Sequence, residues 1–542
     1  MKLAEVVSNR ARRCHNNPAV CYHDAEEGSI ITYGSLIEAL EEHQTWIHRA
    51  IPFSSTSEEL VVAYLAENSV DLFLSVIACA NRDDVTTALL NTRWTPREMA
   101  TALQQRGPNL ILCSTEFKSK ADDLVKLLPG ATSSLIPDLA TAMIRREWSL
   151  TPPAREDDTA NLIQALTTDN EASSDALVVF TSGTTSGPKG VRLSHRAILI
   201  QALAKTQSPC SYSSETAVLG TTVGFFHVGG LSSILATWLA GGMVVLPSRL
   251  QRSNTSFDPQ AVERSVRHER LPTTTLVVVP TMVHSLMECM DTTNIYPRMR
   301  LILVGGQSAS EDMIAFLRAV FPNAKLVQTY ACSEAASSLT FLTIQRGREQ
   351  TASADCVGYA PRHVQLRLVH PETGRTIEGP NETGIISTRG PHLMNGYWKR
   401  HSVLPNMDVE YWMRTTDLGF WSVDGSLNFA GRVNDTIRSG GETVLALEVE
   451  KIVAKHPSVK EVAVFGLPDK TYGEAVCCAI VASSPLDIAE LRQWCKEHDL
   501  TGFKRPRRLF TVSTLPKNGS GKVLKAALRD SSIDSTAPQS KL

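Results

Sequence analysis

Residues 181–190 read TSGTTSGPKG and follow the apolar run ALVVF. Three glycines, five hydroxyl residues and Lys189 in ten positions suit the holding of an anion better than a plain turn. Glycine lets the backbone come close to a bound group. Free N–H groups and hydroxyls then donate to its oxygens, and a lysine adds a point charge. Ala176 to Phe180 reads as a buried strand. From Val191 onward, VRLSHRAILIQALAK shows apolar residues at helical spacing, with Ser194 as N-cap. Strand, glycine loop and helix make phosphate-site architecture. The pattern G-x-x-x-x-G-K-[ST] is not met, because Gly183 and Gly187 are four apart and Pro188 precedes Lys189.

Further elements are needed to position such a loop. Between 175 and about 350, the runs ALVVF, MVVLP, TTLVVVP, LILVGG and KLVQTY alternate with helix-like stretches, which predicts βα units on parallel sheets. Ligands of open α/β sheets lie beyond the carboxyl ends of the strands. After about 355 shorter strand-and-turn segments predict a small β-rich part, and about 435 to 530 reads as a small α+β unit. A chain of 542 residues is long enough for several folding units. Its 54 basic and 56 acidic side chains leave a net charge of −2, which argues against a nucleic-acid binder. The eleven cysteines form no C-x-x-C pair, so neither a disulfide framework nor a zinc site is expected. Cys477 and Cys478 read as small buried strand residues. No run is long enough for a membrane span, and no secretory signal is read at MKLAEVVSNRARR. Ser540, Lys541 and Leu542 match the tripeptide read by the peroxisomal import receptor, so peroxisomal import is expected, with a cytosolic location otherwise.

Five more islands follow the loop in order: FFHVGG (225–230), YACSEAASS (330–338), WMRTTDLG (412–419), GRVNDTIRSGGETVLALEVE (431–450) and LPKNGSGK (515–522). Together they resemble the adenylate-forming superfamily of acyl- and aryl-CoA synthetases, luciferases and peptide-synthetase adenylation domains. The resemblance implies an N-terminal adenylation domain over 1–433 and a small mobile C-terminal domain over 434–542. It implies ATP, Mg2+ and coenzyme A as reactants or cofactor, with a carboxylic acid activated first as its adenylate and then as a thioester.

By the same resemblance Thr181, Ser182, Gly183, Thr184, Thr185 and Lys189 cradle the β- and γ-phosphates. Tyr330 and Ser333 flank the nucleotide, and Glu334 is the magnesium-binding acid. Asp417 holds the ribose hydroxyls, with Arg432 nearby. Lys522 is the lysine that bridges the carboxylate and the α-phosphate. Asn434 occupies the hinge, and Ser439, Gly440 and Gly441 line the pantetheine tunnel, although a tight turn also accounts for the two glycines. His227 is either a packed core residue or a group at the acyl pocket and pantetheine entrance. The sequence departs from the usual pattern at Ser186 and Gly187, which look interchanged, and at Thr416, Asn434, Arg438 and Ala446. None of these removes a charge that the chemistry needs.

NTRWTPRE, FFHVGGLSS, CVGYAPRH, STRGPHLMNGYW and TGFKRPRR are most similar to plant-type 2-succinylbenzoate-CoA ligases of phylloquinone biosynthesis. That substrate carries two carboxylates, so one end of the pocket must offer donors or a cation. Ser232, Ser233, Ser337 and Ser338 are available hydroxyls, and no residue is assigned to the second carboxylate. A fatty-acid or 4-coumarate-like CoA ligase, an adenylating enzyme that serves a carrier protein or oxidises its adenylate, and a non-catalytic nucleotide-binding relative stay open as alternatives.

Overall fold

A computed structural model describes residues 1–23, 29–51, 60–104, 107–144, 159–168, 173–181, 188–247, 257–270, 273–344, 355–398, 407–517 and 523–534. The chain divides into two compact units. The first is drawn mainly from residues up to Met413, and the second from Leu366–Ser387 and from Arg414 onward.

Among the described residues, the first unit holds two large sheets. One runs in the order Ser337–Ile344, Lys325–Cys332, Leu301–Gly305, Thr275–Val278, Ala217–Leu219, Met243–Leu246, Pro18–Tyr22 and Ser29–Thr32. Its central pairs are parallel, and only its two edge strands run antiparallel to their neighbours. The other runs Gly396–Tyr397, Lys189–Ser194, Asp175–Thr181, Val85–Leu89, Leu60–Leu65, Leu110–Cys113 and Thr132–Leu135. Its inner strands are covered on both faces; Leu60–Leu65 is almost continuously apolar, and Val85–Leu89 is buried throughout.

The helices His195–Ala204 and Val228–Leu239 are buried on nearly every side, as helices apolar all round must be. Local sequence sets the element ends. Thr95 accepts from the Glu98 backbone while Glu98 reaches back to Thr95, a capping box with Pro96 at the first helical position. Ser194 accepts from Ala197 N at 3.1 Å, as its N-cap reading requires.

One expectation is corrected. The glycine loop does not open directly onto a helix, because Lys189–Ser194 is a strand paired antiparallel with Asp175–Thr181. Val191 and Leu193 are buried while Arg192 is partly exposed, so this short stretch alternates with the period of a strand, and the helix begins only at His195. The loop therefore joins two strands, with Thr181 directly opposite Lys189.

In the second unit a β-rich part orders its strands Leu427–Arg432, Met413–Trp421, Gly384–Arg389, Gln365–Val369 and Thr376–Ile377. A separate sheet is built on the long antiparallel pair Val459–Asp469 and Gly473–Ala482, flanked by Thr436–Ser439 with Glu442–Leu445, and by Arg508–Thr511 in parallel. The helices Ala446–Val453, Ile488–Glu497 and Lys525–Asp534 complete it. Cys477 and Cys478 are fully buried on the central strand. Among the described residues, no helix is long and apolar enough to cross a membrane.

Candidate active site

In the first unit, three predicted residues meet through a fourth that the sequence did not flag. Glu334 lies on the short 3-10 turn Ser333–Ala335 after the strand Lys325–Cys332, and Ala336 closes that turn at φ 55°. Tyr397 donates its hydroxyl to Glu334 Oε1 at 2.9 Å. Lys189 Nζ sits over the Tyr397 ring, 5.6 Å from its centre. Thr181 stands across the hairpin from Lys189. Burial, reinforced by the Glu334 charge, raises the Tyr397 hydroxyl well above its ordinary range, so it stays a donor.

Tyr397 is held by backbone. Gly396 and Tyr397 pair with Arg192 and Val191, Trp398 N donates to Gly190 O at 2.8 Å, and Met394 N donates to Glu334 O at 2.9 Å. Asn395 Nδ2 donates to Ser173 O at 2.9 Å and Asp175 Oδ1 at 2.8 Å, while Arg192 Nε donates to Asp175 Oδ2 at 2.6 Å. The two edge strands thus carry Lys189 and Tyr397 as one piece. Tyr330 and Ser333 lie on the same strand and turn as Glu334, both partly exposed. Ser182, Gly183, Thr184 and Thr185 lie outside the described residues, as do Ser186 and Gly187.

His227 occupies the N-cap position of the helix Val228–Leu239 and stacks obliquely on Phe226, with ring centres 4.6 Å apart. It is half-buried, and desolvation, helped by the Arg93 charge, lowers its pKa to about 4. At neutral pH it is an uncharged imidazole, available for packing and hydrogen bonding. Asn68 fixes the loop before it, donating to Gly220 O at 2.5 Å and Val223 O at 2.9 Å and accepting from Phe225 N at 2.7 Å. Gly230 is required here, since a Cβ would lie 2.5 Å from Val223 O and 2.6 Å from Gly224 O.

A second polar group was only half visible in the sequence. Lys205, the C-cap residue of the helix His195–Ala204, is 1% exposed. Its ammonium donates to Ser232 Oγ and, at 3.3 Å, to Ser337 Oγ; the two hydroxyls are 2.9 Å apart, and Ser232 Oγ also donates to Val228 O at 2.6 Å. Among the described residues Lys205 pairs with no carboxylate, and burial lowers its pKa from 10.5 to about 8. The cluster joins the segments that carry the other site residues. Ser337 is three positions after Glu334 and Ser232 five after His227. Gln201, one turn before Lys205, donates to Ala335 O at 2.8 Å and Ser338 O at 3.0 Å.

In the second unit, Asp417 and Arg432 face each other across the antiparallel pair of Met413–Trp421 and Leu427–Arg432, with Arg432 Nε 3.4 Å from Asp417 Oδ1. Thr415 Oγ1 accepts from Asp417 N at 3.1 Å. Asn434 is exposed within the 3-10 turn Val433–Asp435. Gly440 and Gly441, at φ 63° and 84°, form the two-residue turn between Thr436–Ser439 and Glu442–Leu445. That conformation asks for glycine whatever else the turn does. Ser439 is buried, and its hydroxyl has no hydrogen-bond partner among the described residues. Lys522 and the tripeptide Ser540, Lys541 and Leu542 lie outside the described residues.

The sequence matches the AMP-binding enzyme family over residues 7–398 and the AMP-binding enzyme C-terminal domain over 448–522. The chain belongs to the AMP-binding enzyme family. It is an enzyme of the adenylate-forming class, an ATP-dependent acyl/aryl-CoA ligase. Among the relatives of this family, a 2-succinylbenzoate-CoA ligase, chloroplastic/peroxisomal, from Arabidopsis thaliana is 30% identical, over 86% of this chain and 87% of that protein. An oxalate-CoA ligase of the same plant is 29% identical, over 85% and 86%. Among solved structures, o-succinylbenzoate CoA synthetase from Bacillus subtilis in complex with its acyl-adenylate intermediate superposes with a TM-score of 0.77 at 25% identity, covering 99% of both chains. The same enzyme in complex with ATP and magnesium ion gives 0.76 at 25% identity, covering 97% of this chain and 99% of that one.

The donor set fits a magnesium ion. Among the described residues no group of three or more His, Cys, Asp or Glu side chains could cage a metal. Glu334 offers one carboxylate, of which Oε1 accepts from Tyr397. Mg2+ is commonly held in this way, by one or two carboxylates together with substrate phosphates and water.

Proposed function

We propose that this protein is a 2-succinylbenzoate-CoA ligase, converting an aromatic acid with two carboxylates into its CoA thioester in phylloquinone or menaquinone biosynthesis. The observation that carries the reading is Lys205. A buried ammonium without a counter-ion is costly, and two serine hydroxyls use two of its three protons. The third proton suits an anionic group of a ligand, and a second carboxylate supplies one. A substrate with a single carboxylate would leave that charge unanswered. The similarity to the Arabidopsis ligase and to the Bacillus subtilis synthetase supports the same reading.

In the proposed mechanism, Lys189 and the hydroxyls and N–H groups of Thr181 to Thr185 receive the β- and γ-phosphates. Glu334 holds Mg2+, which when bound neutralises phosphate charge. Tyr397 orients the Glu334 carboxylate, and Tyr330 and Ser333 border the nucleotide. Asp417, an acceptor for two O–H donors, takes the ribose hydroxyls, with Arg432 beside it. Lys522 draws the substrate carboxylate to the α-phosphorus. The carboxylate oxygen bonds to phosphorus as the bond to pyrophosphate breaks, giving the acyl-adenylate. Rotation at Asn434 withdraws the lysine. The CoA thiol, guided along Ser439, Gly440 and Gly441, loses its proton and attacks the acyl carbon, and AMP leaves. His227, uncharged, lines the junction of acyl pocket and pantetheine entrance. In this reading the domain boundary falls at 433/434, and Ser540, Lys541 and Leu542 engage the peroxisomal import receptor.

The test is acid-dependent AMP release by purified protein with ATP, Mg2+ and CoA. The panel compares 2-succinylbenzoate with oxalate, 4-coumarate and medium- and long-chain fatty acids. Highest kcat/KM for succinylbenzoate is expected. Preference for a monocarboxylate would overturn the substrate and the role of Lys205 while leaving the reaction class.

A further inference from the structure

On either side of residues 518–522, which lie outside the described residues, Lys517 pairs with Val523, and Leu524 N donates to Pro516 O at 2.8 Å. One residue later the helix Lys525–Asp534 begins. Lys525 Nζ reaches Glu450 Oε1 at 2.7 Å and lies 3.9 Å from Asp435 Oδ2. The same Glu450 oxygen accepts Val464 N at 2.8 Å. One turn along the helix, Arg529 Nη2 donates to Asn434 O at 3.4 Å. The side chains of Lys525 and Glu450 are 14% and 17% exposed, so solvent screens this pair far less than a surface ion pair.

These contacts join four parts of the second unit. Asp435 is the residue after Asn434, Glu450 lies on the helix Ala446–Val453, and Val464 is on the strand Val459–Asp469. Lys525 stands three residues beyond Lys522. A lysine that must meet a phosphate oxygen in one half-reaction and leave it in the next needs a rigid mount. A hinge can move it only if the segment leaving the hinge is fastened to that mount.

We propose that Lys525 is a positioning residue for Lys522, locking the hinge exit at Asp435 to the base of the lysine-bearing segment through Glu450. The proposal rests on the roles of Lys522 and Asn434 given above. Lys525 touches no reactant; it acts through Lys522, and its loss falls on adenylation rather than on thioester formation.

The experiment measures the two half-reactions separately in the full-length protein. Pyrophosphate release from ATP is followed with whichever acid of the panel gives the fastest turnover, and CoA capture is followed from preformed acyl-adenylate. Lys525→Met is expected to lower kcat of adenylation by up to about 10²-fold, the scale of a displacement near 1 Å. KM for ATP and the rate of CoA capture should change little, and Lys525→Arg should restore most of the loss. In a Lys522→Ala background, Lys525→Met should cost nothing further. Equal loss in both half-reactions, additive loss in that background, or unchanged adenylation would overturn the proposal. If Lys525→Met does not fold, Glu450→Gln, which keeps an acceptor for Val464 N, should show the same split, and its absence counts against the proposal. Full adenylation by Lys522→Ala alone would refute the role of Lys522, and this proposal with it.

Discussion

Replacing Lys205 by methionine separates a substrate-binding cation from a structural one. Methionine keeps much of the length and volume of lysine and removes the charge. The serines do not lose all their partners, because Ser232 Oγ and Ser337 Oγ are already 2.9 Å apart and Ser232 also bonds Val228 O. Replacing a buried charge that has no counter-ion among the described residues by an apolar group of similar size is expected to leave stability unchanged or to raise it. Catalysis should move the other way. A hydrogen bond to a charged group contributes roughly 1.5 to 3 kcal/mol, so kcat/KM for 2-succinylbenzoate should fall about 10- to 10²-fold. An aromatic monocarboxylate such as 4-coumarate should be used no worse than before.

The pH dependence supplies an independent check. Lys205 titrates at about 8 in the folded, ligand-free protein, so kcat/KM for the diacid should decline as pH rises through that value. The decline should be absent in Lys205→Met. For stability, the folded pKa lies below the unfolded value of 10.5. Between about 8 and 10.5 the unfolded chain binds more protons, and stability therefore rises with pH across that window. The penalty relieved across that window reaches about 3 kcal/mol, and this rise with pH should be absent in the variant. Steady-state kinetics on both acids and thermal melts over pH 7 to about 10.5 make the assay. Diacid kinetics that survive the substitution, or equal losses with the mono- and dicarboxylic acids, would refute the reasoning.

Tyr397→Phe keeps the ring under Lys189 and removes the bond to Glu334, so a loss of about 1 kcal/mol is expected. It should be read as a several-fold lower kcat and a higher Mg2+ requirement, and Tyr397→Ala should be worse. Gly230→Ala forces a Cβ to within 2.6 Å of two backbone oxygens; a destabilisation of about 1 to 3 kcal/mol with a raised KM for the acid is expected, measured by thermal melts and kinetics. Burial lowers the pKa values of His195 and His363 to about 4, and it lowers His392 further from its ordinary value. Unfolded histidines bind protons from pH 6.5 downward, so Tm should fall steadily as pH drops from about 6.5 to 4. A Tm that stays flat over that range would contradict these assignments.

How much was legible in the sequence depended on whether the deciding contact was local. Asp417 and Arg432 stood out as neighbouring islands, and a hairpin register brings them face to face. The strand at Lys189–Ser194 was missed because Val191 and Leu193 fit a helical stripe as well as an alternating strand, and pairing with Asp175–Thr181 decided between them. Tyr397 sits in the segment STRGPHLMNGYW but took no role there, since its role arises when Gly396–Tyr397 pairs with a strand some two hundred residues earlier. Lys205 ends a helix, where a lysine is ordinarily solvated and complements the helix dipole. Only packing shows that this one is buried against Ser232 and Ser337, hydroxyls that the sequence offered without the cation they bind.

The two lysines of the first unit share a physical requirement that explains the residues around them. A cation that serves a phosphate or a carboxylate of a substrate is wasted if a carboxylate of the protein neutralises it first. Lys189 and Glu334 belong to one site, yet among the described residues Lys189 forms no ion pair. The Tyr397 ring lies under the ammonium while its hydroxyl occupies Glu334 Oε1. An aromatic face stabilises a cation without cancelling its charge, and a phenol satisfies a carboxylate lone pair without removing its affinity for a metal. Lys205 meets the same requirement with serines, which accept from the ammonium and bring no charge of their own. Neutral partners hold both cations in place, and in the proposed reading the counter-charge is left for the ligand to bring: phosphate at Lys189 and the second carboxylate at Lys205.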